Sequence, residues 1–191
     1  MKQHVIFFTA LMVVAVFGAK AQDKKTITKK NLKLQGVEMV ETLNEDGTDM
    51  IKRPYRWFAG MAEADVQSVA VEMAQLEAYA AISRVIENLV TTQAERGTVA
   101  VNGNVQKALK SHWEQMSMSI QKACEPFGET EVNYDSETGI YEVVAKVGIR
   151  GDRYVKLLDG AKKAQPEGLT GDDLKQFNAA NEAIIDAAKG N

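Results

Sequence analysis

The sequence predicts an α+β domain: a long helix laid on a mostly antiparallel sheet of about four strands, with further helices added. Three observations carry that reading. Residues 62–93 are rich in Ala, Glu and Leu and contain no Gly or Pro, the composition of one continuous helix. Residues 140–150, IYEVVAKVGIR, alternate in the manner of a strand with one covered and one more solvated face. Two turn signals, Asn44-Glu45-Asp46-Gly47 and Ser136-Glu137-Thr138-Gly139, each lie between two extended stretches.

The long helix organises the rest. At 1.5 Å per residue it spans roughly 45–50 Å. At 100° per residue, Val71, Ala74, Ala78, Ile82, Val85, Ile86 and Leu89 form one apolar stripe, with Gln75 as an exception. Val66, Val69, Met73, Leu76 and Ala80 form a second stripe, confined to the first half. The first half is therefore expected to be covered on two sides and the second half on one. The second stripe is expected to be covered within the chain, by a helix carrying Trp113 or by a C-terminal helix carrying Phe177 and Ile184. The many Ala side chains let a neighbouring layer approach closely. A long exposed coiled coil needs sustained heptads, which are missing.

Taken from its start, the chain opens with a signal peptide over residues 1–21. Lys2 precedes an apolar run broken only by Thr9, and Ala19-Lys20-Ala21 offers the small-x-small cleavage pattern ahead of Gln22. The run is short for a membrane-spanning helix, which needs about 20 residues. Position 22 is Gln rather than Cys, so no lipid anchor is expected. Export to the periplasm or beyond follows as the expectation. Residues 22–33 make a flexible basic N-terminus with Lys24, Lys25, Lys29, Lys30 and Lys33. The remaining residues, 34–191, suit a single domain that ends in a helix. Nothing after residue 21 is long and apolar enough to span a membrane.

Two strands come next, 34–43 and 48–60. Pro54 marks an edge or a bulge in the second, because it has no N–H for a ladder. Tyr55, Trp57 and Ala59 share one face of that strand. Aromatics placed so serve cross-strand packing or a contact with a ligand or partner, and Tyr55 and Trp57 are the candidate contact residues. The long helix follows and stops at Arg96-Gly97. A second helix over 104–123, capped by Asn102 or Asn104, carries Val105, Leu109, Trp113, Met116, Ile120 and Cys124 on one stripe that Phe127 continues. It forms an antiparallel hairpin with the first. Strands at 129–135 and 140–150 precede a short helix from Gly151 to about Gly160. A final amphipathic helix begins near Thr170, with Asp173 three residues on as in a capping box.

Trp57-Phe58-Ala59-Gly60, then Ala70, Ala74 and Ala78 to Ala81, then Gly139-Ile140-Tyr141-Glu142-Val143 resemble the Lpp-twenty-type bacterial envelope lipoproteins, a family with relatives among flagellar ring-associated proteins. The resemblance covers about half of the chain beyond residue 21. It implies an α+β fold with helix on antiparallel sheet and an envelope location, and it implies no catalytic residues. The chain departs from the family in lacking the lipid-bearing Cys, and its second and C-terminal helices look like additions.

Composition narrows the chemistry. Without Lys2 and Lys20, 21 basic residues face 26 acidic ones, a net charge near −5, which argues against a general nucleic-acid binder. With one cysteine, Cys124, an internal disulfide is impossible. Beyond residue 21 one histidine remains, His112, on the edge of the second helix's stripe, and a structural role suits it. A His- or Cys-based nucleophilic unit or zinc site has almost nothing to draw on, and no phosphate-loop, dinucleotide or nucleophile-elbow motif occurs. No cofactor or metal is expected. The acidic turns at 44–47 and 135–138 lack calcium-loop spacing. Three functions stay open: a non-enzymatic envelope protein with an interaction or assembly role, whose partner is an envelope protein or a second copy; a small-ligand or polysaccharide-binding module using Tyr55 and Trp57; and a hydrolase built on a carboxylate pair. The first is favoured.

Overall fold

A computed structural model describes residues 33–95 and 101–190; the expected signal peptide, nearly all of the basic segment and the expected helix stop at Arg96-Gly97 lie outside them. The order is β1 (Gln35–Leu43), β2 (Met50–Ala64), α1 (Gln67–Glu95), α2 (Gly103–Ala123), β3 (Glu125–Pro126), β4 (Glu131–Asp135), β5 (Ile140–Arg150), α3 (Gly151–Ala161) and α4 (Gly171–Gly190). The strands make one antiparallel sheet in the order β1-β2-β5, with β3 and β4 both on the far edge of β5. The α+β expectation holds. The fifth strand, β3, is a two-residue pairing of Glu125 and Pro126 with Gly148 and Val147.

The β2–α1 boundary differs from the sequence reading. Ala62, Glu63 and Ala64 belong to β2, paired with Val143, Glu142 and Tyr141. Ala and Glu are better helix than strand formers, but the ladder to β5 and burial of Ala62 outweigh that small preference. Pro54 pairs only with Met39 of β1, because the ladder to β5 begins one residue later at Tyr55. The missing N–H therefore falls where β2 has a free side.

One face of the sheet carries the core. Phe58 and Ala62 of β2 point there with Val143, Ala145, Val147 and Ile149 of β5, and α1 crosses them. Contact between helix and strand is backbone to backbone at Gly60: a Cβ at that position would overlap the Ala78 nitrogen and the Ala74 carbonyl oxygen. Ala70, Ala74, Ala78 and Ala81 are fully buried along the same line. Small side chains on both partners let α1 lie almost on the sheet.

The other helices fill the core's second half. Asn102 caps α2, its Oδ1 accepting from the Asn104 and Val105 amides at 3.0 and 3.1 Å. Its Nδ2 donates to Asp173 at 2.7 Å, so that carboxylate ties the cap to the first turn of α4. The helix runs antiparallel to α1, as expected. Gln121 Nε2 donates to the Tyr79 carbonyl at 3.0 Å and to the Ser83 hydroxyl at 2.9 Å. Buried Asn181 of α4 joins three helices: Trp113 Nε1 donates to its Oδ1 at 3.0 Å, and its Nδ2 donates to the Ala161 carbonyl at 2.9 Å. Arg56, also buried, lies over the Tyr154 ring of α3 at 4.7 Å.

Candidate functional site

Two surfaces lie beside this core. The first is the second face of the sheet, half-buried at Tyr55, Trp57 and Lys146 and buried at Ala59, Met61, Val144 and Gly148. Register places Tyr55, Trp57, Ala59 and Met61 of β2 on it, opposite Arg150, Gly148, Lys146 and Val144 of β5. The two candidate contact residues do share a face, but their rings are engaged. Trp57 lies against Gly36 of β1, where a Cβ would collide with the indole, and Lys146 Nζ sits 5.1 Å above the ring. Tyr55 stacks on Phe127, with centroids 5.4 Å apart and planes 19° apart.

Phe127 is a correction to the sequence reading. It does not continue the α2 stripe; α2 ends at Ala123, and Phe127 crosses to the second sheet face above Gly148, where a Cβ would meet the ring at 2.7 Å. The signal for this is a glycine inside an otherwise alternating strand, which marks close approach. Arg150 at the end of this face binds Asp152 with both arms at 2.6 Å, and that pairing holds the Asp152 carboxyl below its usual range. Glu63 and Glu142 are also register partners here, and Asn133 Nδ2 donates to Glu142 at 3.3 Å. They lie on a surface, Glu63 exposed, not in the closed pocket a carboxylate-pair hydrolase calls for.

The second surface, a flank of α1, is open. Val66, Val69, Met73 and Leu76 are 49, 43, 47 and 66% exposed. This overturns the expectation that a helix of the same chain covers the second stripe. The physical reason is reach: α2 meets α1 only from Tyr79 onward, where Gln121 near its end contacts Tyr79 and Ser83, and it stops at Ala123, while α4 meets the C-terminal end of α1. Coverage is thus the reverse of the sequence reading. The second half of α1 has sheet and helices around it, and the first half has the sheet alone. Val37, Met39, Leu43 and Met50 on the β1–β2 hairpin are exposed as well.

A groove of about 550 Å³ runs between α1 and α2, with Ile86, Val90, Leu109 and Trp113 at its base and Glu87, Lys110 and Glu114 exposed at its rim. Cys124 is half-buried, and desolvation with nearby Glu125 pushes its thiol up to about 12, so it stays protonated and unreactive. His112 sits edge-on to Trp113 and Phe177 at 6.0 and 5.8 Å, and burial lowers its pKa. This is the structural placement its sequence position indicates. The turn at 44–49 uses its own oxygens: Asn44 Oδ1 accepts the Thr48 amide at 2.9 Å and Asp46 Oδ1 the Thr48 hydroxyl at 2.7 Å. Among the described residues no group of His, Cys, Asp and Glu is arranged to hold a metal ion, and no helix is long and apolar enough to cross a membrane.

No family model and no curated protein matches the chain. Among solved structures, the secreted protein HP1454 from Helicobacter pylori is similar at 16% identity with a TM-score of 0.28. The match covers 69% of this chain and 52% of that one, so the chain spans about half the length of HP1454, and a likeness this distant carries no inference about function.

Proposed function

We propose that this chain is an exported, non-enzymatic protein of the bacterial cell envelope that works by binding another polypeptide through the open flank of α1. The observation that carries the reading is the row Val66, just ahead of α1, then Val69, Met73 and Leu76 on it, four large apolar side chains exposed in succession. Isolated exposed apolar residues are ordinary, but a contiguous row is the mark of a surface that another molecule covers. The signal-like residues 1–21 support export, and the resemblance to Lpp-twenty-type envelope proteins supports the location and the absence of a reaction. The engaged rings of Tyr55 and Trp57 weigh against the ligand-binding alternative, because a stacking platform for a sugar or small ligand needs a free aromatic face.

A photo-crosslinking residue placed at position 76 in the native host tests this. The reading expects a discrete adduct from position 76 and none from position 118, an exposed methionine on α2. Equal labelling from both positions, or none from either, contradicts it. Mass spectrometry of the exported form is expected to find Gln22 at its N-terminus; an exported species that retains Met1 contradicts the signal-peptide part.

A further inference from the structure

We infer that the outer edge of β1 takes up an extended polypeptide strand of alternating apolar and basic residues, added to the sheet beside β1. This contact is separate from the α1 flank and goes beyond the function proposed for it. Among the described residues β1 is the last strand on its side of the sheet. Its hydrogen-bonding direction is fixed at both ends: the Ala59 amide donates to the Leu34 carbonyl at 2.9 Å, and the Asn44 amide to the Asp49 carbonyl at 2.8 Å. Nine register pairs run unbroken between them, from Gln35–Phe58 to Leu43–Met50. Bonded pairs alternate in an antiparallel ladder, so the even residues of β1 bond to β2 throughout. The N–H and C=O groups of Gln35, Val37, Met39, Glu41 and Leu43 point the other way. They form a row of donors and acceptors at the spacing that an extended backbone satisfies.

Edges that stay unpaired carry proline, lysine or a bulge, or are short. The far edge of the sheet is of that kind: β3 is two residues long and contains Pro126, and β4 has five residues. β1 has nine residues, QGVEMVETL, with no Pro, no Lys and no bulge. Its side chains define the occupant. Val37, Met39 and Leu43 are exposed on the face that β1 shares with Phe58 of β2, so the added strand is apolar at alternate positions. Glu41 on that face already meets Lys52 at 3.7 Å. On the other face Glu38 is exposed and has no ion pair among the described residues, so a basic side chain belongs across from it. The same acids turn away a second β1. A two-fold antiparallel pairing centred on residue 38 or 41 sets like carboxylates directly opposite, and one centred on 39 or 40 sets Glu38 or Glu41, respectively, diagonal to its copy.

Amide hydrogen exchange followed by NMR reads the contact, with a short capped peptide of alternating Val and Lys as the probe. In the free protein the amides of Val37, Met39, Glu41 and Leu43 should exchange fast, and those of Glu38, Val40 and Thr42 slowly. Saturating peptide should slow the first set at least tenfold and leave the second unchanged. The same peptide with Glu in place of Lys should bind several-fold more weakly, and Glu38→Lys should reverse that preference. Met39→Pro removes one outward N–H and leaves the β2 ladder intact, so it should weaken binding at least tenfold with an unchanged circular dichroism spectrum. Glu38→Lys is a surface change and decides the matter if Met39→Pro does not fold. Leu76→Glu should bind the peptide as wild type does, which separates this contact from that of the α1 flank. Fast exchange at the four amides in saturating peptide, protection on β4 instead, or equal affinity for the acidic peptide would each overturn the inference. Slow exchange at those amides before peptide is added would overturn it too, since a segment of this chain or a second copy would then already hold the edge.

Discussion

The two halves of α1 carry similar apolar residues and meet different fates. In the second half Tyr79, Ile82, Ile86 and Val90 meet α2 and the core; in the first half Val69, Met73 and Leu76 meet solvent. Composition does not separate them. Leu76 is larger than most of the buried residues of the helix and, among the described residues, is the most exposed of the large hydrophobics. What separates them is the chain's connectivity. The hairpin from α1 to α2 returns only about as far as Tyr79 before α2 ends, and α3 and α4 pack behind it. A helical wheel shows which residues are apolar; it does not show which neighbour exists to cover them.

The comparison breaks most severely under the helix. Gly60→Ala puts a methyl group into the backbone of α1 at Ala74 and Ala78, where neither side can yield without moving the helix. The expected loss exceeds about 3 kcal/mol, at or beyond the top of the usual overpacking range. Circular dichroism and urea unfolding check it, and a variant within 1 kcal/mol or so of wild type would mean that α1 can lift off the sheet at small cost. On the covered side Ile82→Ala removes a fully buried side chain and should cost about 2–5 kcal/mol in the same assay.

Asn181→Ala sharpens the role of the helices packed behind α2. It leaves the buried Trp113 N–H without its partner and takes one of two donors from the Ala161 carbonyl, which keeps the Ala164 amide at 3.3 Å, a loss of roughly 1–3 kcal/mol. Asn181→Leu should not restore it, since filling the space does not satisfy the indole. Recovery by Leu would show that volume, not hydrogen bonding, holds α2, α3 and α4 together.

His112 gives a smaller effect, with a defined sign. Burial lowers its pKa in the folded state, so the unfolded chain takes up a proton first as pH falls below its ordinary value near 6.5. Stability contributed by neutral His112 is complete above that value and declines below it, until the folded form is protonated as well. His112→Gln should flatten the stability profile over that window. An unchanged slope would contradict the role of His112, because Asp152 and Asp159, whose folded pKa values are lowered by pairing with Arg150 and Lys189, lose their contribution only in more acidic solution.

Much of the fold is legible in local sequence pattern. The strand at 140–150, the α2 stripe, the Asn102 cap and both hairpin turns follow from it, because each is decided by neighbours within a few residues. The placement of Tyr55 and Trp57 on one face is of the same kind. Three features are hidden from such a pattern because tertiary contact decides them. Ala62 to Ala64 are strand only because β5 lies beside them, Phe127 leaves its helical stripe because Gly148 offers a floor, and the second α1 stripe is bare because no helix returns to it. The glycines at 36, 60 and 148 carry the signal that hydrophobic periodicity misses: each marks a place where an aromatic ring or a helix backbone lies directly on a strand.

The most direct measurement is the urea stability of Leu76→Ala set beside Ile82→Ala, taken at a concentration low enough that only monomer is present. Both residues lie on α1, six positions apart, and both substitutions remove a large aliphatic side chain. If the open flank is a surface in the single chain, Leu76→Ala changes stability by less than about 0.5 kcal/mol while Ile82→Ala costs about 2–5. A loss of 2 kcal/mol or so for Leu76→Ala in the monomer would contradict the account, because it would mean that the flank is already covered from within the chain.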